Sequence, residues 1–172
     1  QSVADGTYVN HADFGILEQA TGRRARPASE AGYAPSLFWD GRAGNALVDP
    51  ETLQVVLAAG AALETQALAP ILNSTEMAHG AREWSDVIAR LESAAPLALA
   101  EELPVELNDG IGGRSYPELF ALAFGTPEIS ATRIAMAIAS YERTLVSNQT
   151  PLDVALSGGA PLTPLEQQGR AI

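Results

Sequence analysis

Hydrophobic and polar positions alternate with a helical period over most of the chain's second half and with no sustained period over its first thirty-six residues. Residues 1 to about 36 therefore read as a long ordered loop with at most one short helix. Phe38, Trp39 and Asp40 then enter a turn at Gly41 and Arg42. Between residues 44 and 60, Asp49-Pro50 is a turn signal followed by the β-branched pair Val55-Val56 and then Gly60, which predicts a small hairpin or surface excursion. From Ala61 the pattern becomes helical, with Leu63, Ala67 and Leu68 on one face and Pro70 expected to stop the helix.

Later helices are written more plainly. Arg82 to Ala94 spaces Trp84, Val87, Ile88 and Leu91 as one amphipathic stripe. Leu97 to Leu103 predicts a short helix ended by Pro104, with a loop over Asn108-Asp109-Gly110 and Gly112-Gly113. Ser115 and Glu118 form a capping box ahead of Tyr116, Leu119, Phe120 and Phe124, and Gly125 terminates that helix. Ser130 caps the longest helix, Ala131 to Val146, with Ile134, Ile138, Tyr141 and Leu145 expected inward. Thr163-Pro164-Leu165-Glu166 combines an N-cap, a first-position proline and a capping-box acid. So well-built a start promises two or three turns, yet six residues follow it, and we expect a cut chain. Strand signals are sparse and no internal repeat is visible. The expected fold class is all-α, mainly helical with long loops.

Composition narrows the function classes. Hydrophobic residues make up 47% of the 172 and charged residues 18%, as in a globular protein with a core. No apolar run approaches the ~20 residues of a membrane span. The net charge of −11 opposes polyanions, and the one basic cluster, Arg23, Arg24 and Arg26, is too small to make a nucleic-acid surface. All ten basic residues are arginine. With no cysteine, disulfides, thiolate metal sites and cysteine nucleophiles are excluded within these residues.

Three places hold candidate chemistry. Trp39 reads ordinarily as a core tryptophan beside a turn, and otherwise as an aromatic relay for electrons or a stacking platform. Gln66 and Pro70, four apart, share a helix face, and Glu76 follows after a short bend. Taken alone, Gln66 is a solvated helix residue and Glu76 a first-turn acid favoured by the helix dipole. Glu76 and His79 make one Glu-x-x-His pair, but a di-iron site needs two such pairs and further carboxylates, and His11 has no glutamate three residues before it. No dinucleotide, P-loop or serine-hydrolase fingerprint is present.

The order of segments adds a resemblance. Phe38-Trp39-Asp40-Gly41-Arg42-Ala43, then Leu63 to Ile71 with Gln66 and Pro70, then Glu76-Met77, resembles the central signature of the bacterial di-haem cytochrome c peroxidase and MauG family. Tyr116-Pro117-Glu118-Leu119-Phe120, Ala123-Phe124-Gly125, Ala137 to Leu145 and Leu162 to Gly169 continue it in order, over roughly residues 22 to 172.

The resemblance implies a cytochrome c-like di-haem peroxidase fold, here incomplete. It also implies two haem c groups, whose Cys-x-x-Cys-His attachment sites would flank this chain on either side. Residues 1–153 would be the peroxidatic-haem domain without that motif, and residues 154–172 the linker and first helix of a second cytochrome c domain. Glu76 would be the distal acid–base group, Gln66 a hydrogen-bonding partner of bound peroxide or water, and Pro70 a pocket wall. Trp39 would lie against the cofactor as the relay between the haems. Hydrogen peroxide would be the substrate, and a small cytochrome c or cupredoxin the electron donor. A homodimer is among the assemblies the family allows, and its setting is the periplasm, although no signal peptide is recognisable here.

The match has gaps. No histidine stands near Phe14 to Leu17, where many members carry an iron-ligating one; His11 is close but displaced, and a permanently open site follows where it fails to reach. The calcium-binding asparagine after the loop arginine is missing, since Arg24 is followed by Ala25 and Arg26, which counts against calcium. Residues 44–60 and about 94–113 read as insertions. The alternatives are a MauG-like protein oxidase and a haem-free helical interaction module on the same scaffold. The 172-residue piece by itself is expected to be inactive.

Overall fold

A computed structural model describes residues 25–78, 81–98, 100 and 102–172. His11, Phe14 to Leu17, Arg23, Arg24 and His79, all weighed above, lie outside them. The described residues are mainly helical, with seven α-helices and one two-stranded hairpin, in agreement with the expected class.

Two helices form the centre. Helix α1 (Ala62–Leu72) buries Leu63, Ala67 and Ile71 at four-residue spacing. Helix α5 (Ala131–Glu142) answers with Ala131, Ala135 and Ala139, each fully buried and also four apart. A stripe of alanines lets the α1 and α5 backbones lie close, so the small side chains, with Ile134, make the inner face. This corrects the expected face: Ile138 is partly exposed and Tyr141 is 66% exposed. The helix also ends at Glu142 rather than Val146.

Pro70 does not stop α1, which runs on to Leu72. Proline lacks the N–H that would reach the Gln66 carbonyl, so this one hydrogen bond is forgone two residues before the helix ends. The Pro70 carbonyl then accepts from Asn73 N–H at 3.2 Å and Met77 N–H at 3.3 Å, closing the helix into the next turn.

Around this pair lie two clusters. On one side a single 3-10 turn (Ala31–Tyr33) and Leu37, Ala43, Leu63 and Ala139 pack together with Phe38. On the other, α2 (Trp84–Ser93) and α4 (Tyr116–Phe124) bring Trp84 and Phe120 onto Ile71, Ile129 and Ile134. Helix α4 begins with the expected capping box, Ser115 N–H donating to Glu118 at 2.8 Å, and ends at Gly125 in the left-handed region, φ 83°. The hairpin pairs β1 (Leu47–Val48) with β2 (Val55–Leu57), antiparallel, as expected.

Pro104 plays the opposite part to the one expected. The described residues from Leu97 to Leu103 form no helix; α3 (Val105–Ile111) begins after Pro104 and takes in Asn108-Asp109-Gly110. A proline's fixed φ suits a helix entrance, and here Pro104 is the N-cap. Helix α6 (Pro151–Leu156) lies outside the expected elements, although Thr150-Pro151-Leu152-Asp153 repeats the signal that starts α7 (Pro164–Arg170). Neither α6 nor α7 buries a residue. No helix among the described residues is long and apolar enough to cross a membrane.

Candidate functional site

A cleft of about 590 Å³ opens beside α1, between the segment from Ala25 to Ala31, the Leu37–Phe38 turn and the end of α5. Its walls are largely apolar: Leu37, Phe38, Leu63, Ala67, Ile71, Met77 and Ile138. Its polar side chains are Arg26, Gln66, Glu76 and Glu142. Such a volume and balance suit a bound organic group, for which clefts of ~300–1,000 Å³ with a few placed polar groups are usual.

Three of the four residues to which the resemblance gives a role, Gln66, Pro70 and Glu76, meet here. Gln66 and Pro70 line the cleft from successive turns of α1. Glu76 reaches it from a turn built on the end of that helix. Asn73 organises the turn: its carbonyl accepts from Glu76 N–H and from Ala78 N–H, both at 3.0 Å, and its Oδ1 accepts from Thr75 N–H at 2.9 Å. The reach from Gln66 to Glu76 is thus fixed by a helix end, with Pro70 at its centre.

Trp39 is not brought to the cleft. It is 96% exposed, so the ordinary expectation of a buried tryptophan fails. Its neighbours explain the placement. Leu37 N–H donates to the Ala43 carbonyl at 2.9 Å, closing the turn, and Phe38 adopts φ 67° within it. A bulky residue with positive φ is strained, and contacts must hold it there. The Arg42 guanidinium lies 3.7 Å from the Phe38 ring centre and pairs with Asp40 at 3.1 Å. The turn therefore sends Phe38 into the cleft wall and Trp39 outward.

Two charged groups at the end of α5, Glu142 and Arg143, belong to the site although neither carries a role legible from the sequence alone. Arg143 donates from Nη1 to Glu64 Oε1 at 2.7 Å and from Nη2 to Oε2 at 2.8 Å, and also to the Gly60 carbonyl at 3.0 Å. Glu64 is buried on α1, and the pairing holds the Arg143 guanidinium even more firmly charged than usual. Glu142 faces the cleft, and its Oε2 is buried with no hydrogen-bond partner among the described residues. Burial raises its carboxyl pKa above the ordinary value; the Arg143 charge opposes this and the Glu64 charge adds to it. The signal for Glu142 was its spacing, one helical turn after Ile138.

An apolar cleft with an orphaned buried carboxyl oxygen fits a large flat cofactor that also carries polar groups, as a haem does. The residues that would hold it are Leu37, Phe38, Leu63, Ala67 and Ile138, with Pro70 and Met77 toward Glu76.

Comparison with known proteins bears on the same group. The methylamine utilization protein MauG of Methylophilus methylotrophus is 29% identical over 136 residues, which cover 79% of this chain and 29% of that protein. The chain thus spans less than a third of the length of this curated relative. The family described as di-haem cytochrome c peroxidase matches residues 2–160, nearly the whole chain. The cleft, the helical fold and this match agree, and the chain belongs to the di-haem cytochrome c peroxidase family.

Proposed function

We propose that this chain is the peroxidatic-haem part of a di-haem c-type oxidoreductase that reduces hydrogen peroxide with electrons from a small cytochrome c or cupredoxin. The observation that carries the reading is the convergence of Gln66, Pro70 and Glu76 on one apolar cleft. Haem c, when bound, supplies the iron at which peroxide is held and the route by which electrons arrive.

The chain's own residues manage protons and shape. Cleaving the O–O bond needs a base for the proton on one oxygen and an acid for the departing one. One carboxyl group within hydrogen-bond reach of both serves in turn, and Glu76 is that group. Gln66 holds the peroxide or a water by its side-chain amide, and Pro70 closes the wall without offering an N–H. Trp39 is the aromatic relay between the two haems, its exposed ring standing ready for a neighbouring domain. Residues 1–153 form the peroxidatic domain and 154–172 lead into the second. The setting is the periplasm.

The same cleft serves a second reading, MauG-like oxidation of a protein, which the 29% identity to MauG favours. The test is the full-length protein loaded with haem. Glu76→Gln lowers peroxide turnover with reduced small cytochrome at least tenfold, since such groups contribute ~10²–10⁴. Unchanged turnover removes Glu76 from the chemistry. Peroxide consumption that never oxidises the cytochrome, but does oxidise an added protein, favours the MauG-like reading. Full-length protein without haem absorbance leaves only the helical interaction module.

A further inference from the structure

We propose that Glu142 is the residue through which protons enter this cleft, a second carboxyl group working beside Glu76. The proposal rests on the peroxidase reading above. Reducing one peroxide to two waters takes two electrons and two protons. Glu76 moves a proton from one peroxide oxygen to the other and adds none to that count. The two electrons come from the redox donor, and the two protons must come from solvent.

Glu142 is built for that delivery. It lines the same cleft as Glu76 and Gln66. Its Oε2 is buried and has no hydrogen-bond partner among the described residues, while the residue as a whole keeps partial contact with solvent. The adjacent cation does not claim it: the Arg143 guanidinium is committed to Glu64 at 2.7 and 2.8 Å and to the Gly60 carbonyl at 3.0 Å. A buried carboxyl oxygen without a partner favours the neutral acid, whose O–H then needs an acceptor in the cleft. In each delivery the Glu142 O–H bond breaks, an O–H bond forms on an oxygen in the cleft, and solvent restores the acid. The charged groups around it are Arg143 on its own segment, Glu64 from α1, and Arg26 and Glu76 across the cleft. Arg143 stabilises the transient carboxylate, and Glu64 limits how long it persists. Burial shifts the carboxyl in the same direction.

The test uses the full-length haem-loaded protein. Infrared spectra taken as pH rises from about 4.5 show a protonated-carboxyl band that persists above the range of an ordinary glutamate, moves in heavy water, is absent in Glu142→Gln and survives in Glu76→Gln. Glu142→Gln slows peroxide turnover about tenfold at pH 8 with the KM for peroxide within about twofold, and the gap closes at pH 5.5, where solvent acid substitutes. Added formate restores part of the lost rate. Glu142→Asp keeps the wild-type pH profile but shifts the frequency of the band, which carries the test should the glutamine variant fold poorly; a band at the wild-type frequency in Glu142→Asp belongs to another group. A spectrum unchanged by Glu142→Gln, or a loss of rate equal at both pH values, overturns the proposal. Loss of the band in Glu142→Gln together with normal turnover in Glu76→Gln removes the peroxidase reading but leaves Glu142 as a proton-holding group; a band unchanged in Glu142→Gln together with slowed turnover in Glu76→Gln does the reverse.

Discussion

Arg143 grips Glu64 through two parallel hydrogen bonds, 2.7 and 2.8 Å long, that tie the end of α5 to the first turn of α1 across 79 residues of sequence. Planar guanidinium and carboxylate match in this geometry, which an ammonium group cannot reproduce. The Glu64 side chain is 5% exposed, so its charge has little water to fall back on.

Removing the arginine should therefore cost more than a surface ion pair does. Arg143→Ala is expected to destabilise the fold by about 2–3 kcal/mol, below the ~3–5 of fully buried pairs because the arginine side chain is 39% exposed. Arg143→Lys should recover only part of this. Denaturant titration of the two variants checks it, and a loss under about 0.5 kcal/mol for alanine refutes the anchoring role.

Glu142 gives a pH dependence with a definite sign. Burial raises its folded-state pKa above the ordinary 4.5, so the folded protein binds this proton more tightly than the unfolded chain. Its contribution is fully present below about pH 4.5 and lost as pH rises through the folded value. Wild type and Glu142→Gln should unfold together in acid, and the variant should be the more stable at pH 8. Thermal unfolding across that range decides, and a wild type more stable at pH 8 contradicts the assignment.

Trp39→Ala should leave stability within about 0.5 kcal/mol of wild type, because a ring 96% exposed supports nothing beneath it. In the full-length protein the same change should slow electron transfer between the haems while peroxide binding holds. Stopped-flow reduction of each haem measures this, and normal transfer excludes the relay.

Ser115→Ala should lower stability by about 1 kcal/mol, since its hydroxyl caps α4 and α4 carries Phe120 into the second core cluster. A melting-temperature drop of about 2–4 °C is expected for a chain of this size.

Local grammar was legible without a structure. The capping boxes at Ser115 and Thr163, the stop at Gly125, the stripe of Trp84 through Leu91 and the hairpin near Asp49 all depend on neighbours a few residues away, and all stand. The grouping of Gln66 with Pro70 was also local, one turn of one helix. Thr150-Pro151 follows the same grammar and opens α6, which lay outside the expected elements, while Pro70 and Pro104, expected as stops, stand inside α1 and at the entrance of α3; a proline's effect depends on its place along the helix, which spacing alone does not give.

Tertiary structure decided what spacing alone leaves open. Which face of α5 turns inward depends on how near α1 lies, and three alanines won over the larger Ile138 and Tyr141 because close backbones need small side chains. Whether Trp39 is core or surface depends on the strained turn at Phe38, held by Arg42. Glu142 lines the cleft while Arg143 beside it is engaged by a glutamate on another helix, a division of partners that only the folded chain shows. The sequence by itself determined the helical class, most of the helices, the caps at Ser115, Ser130 and Thr163 and the family resemblance; burial and charge partners, which join residues far apart in the chain, belong to the folded molecule alone.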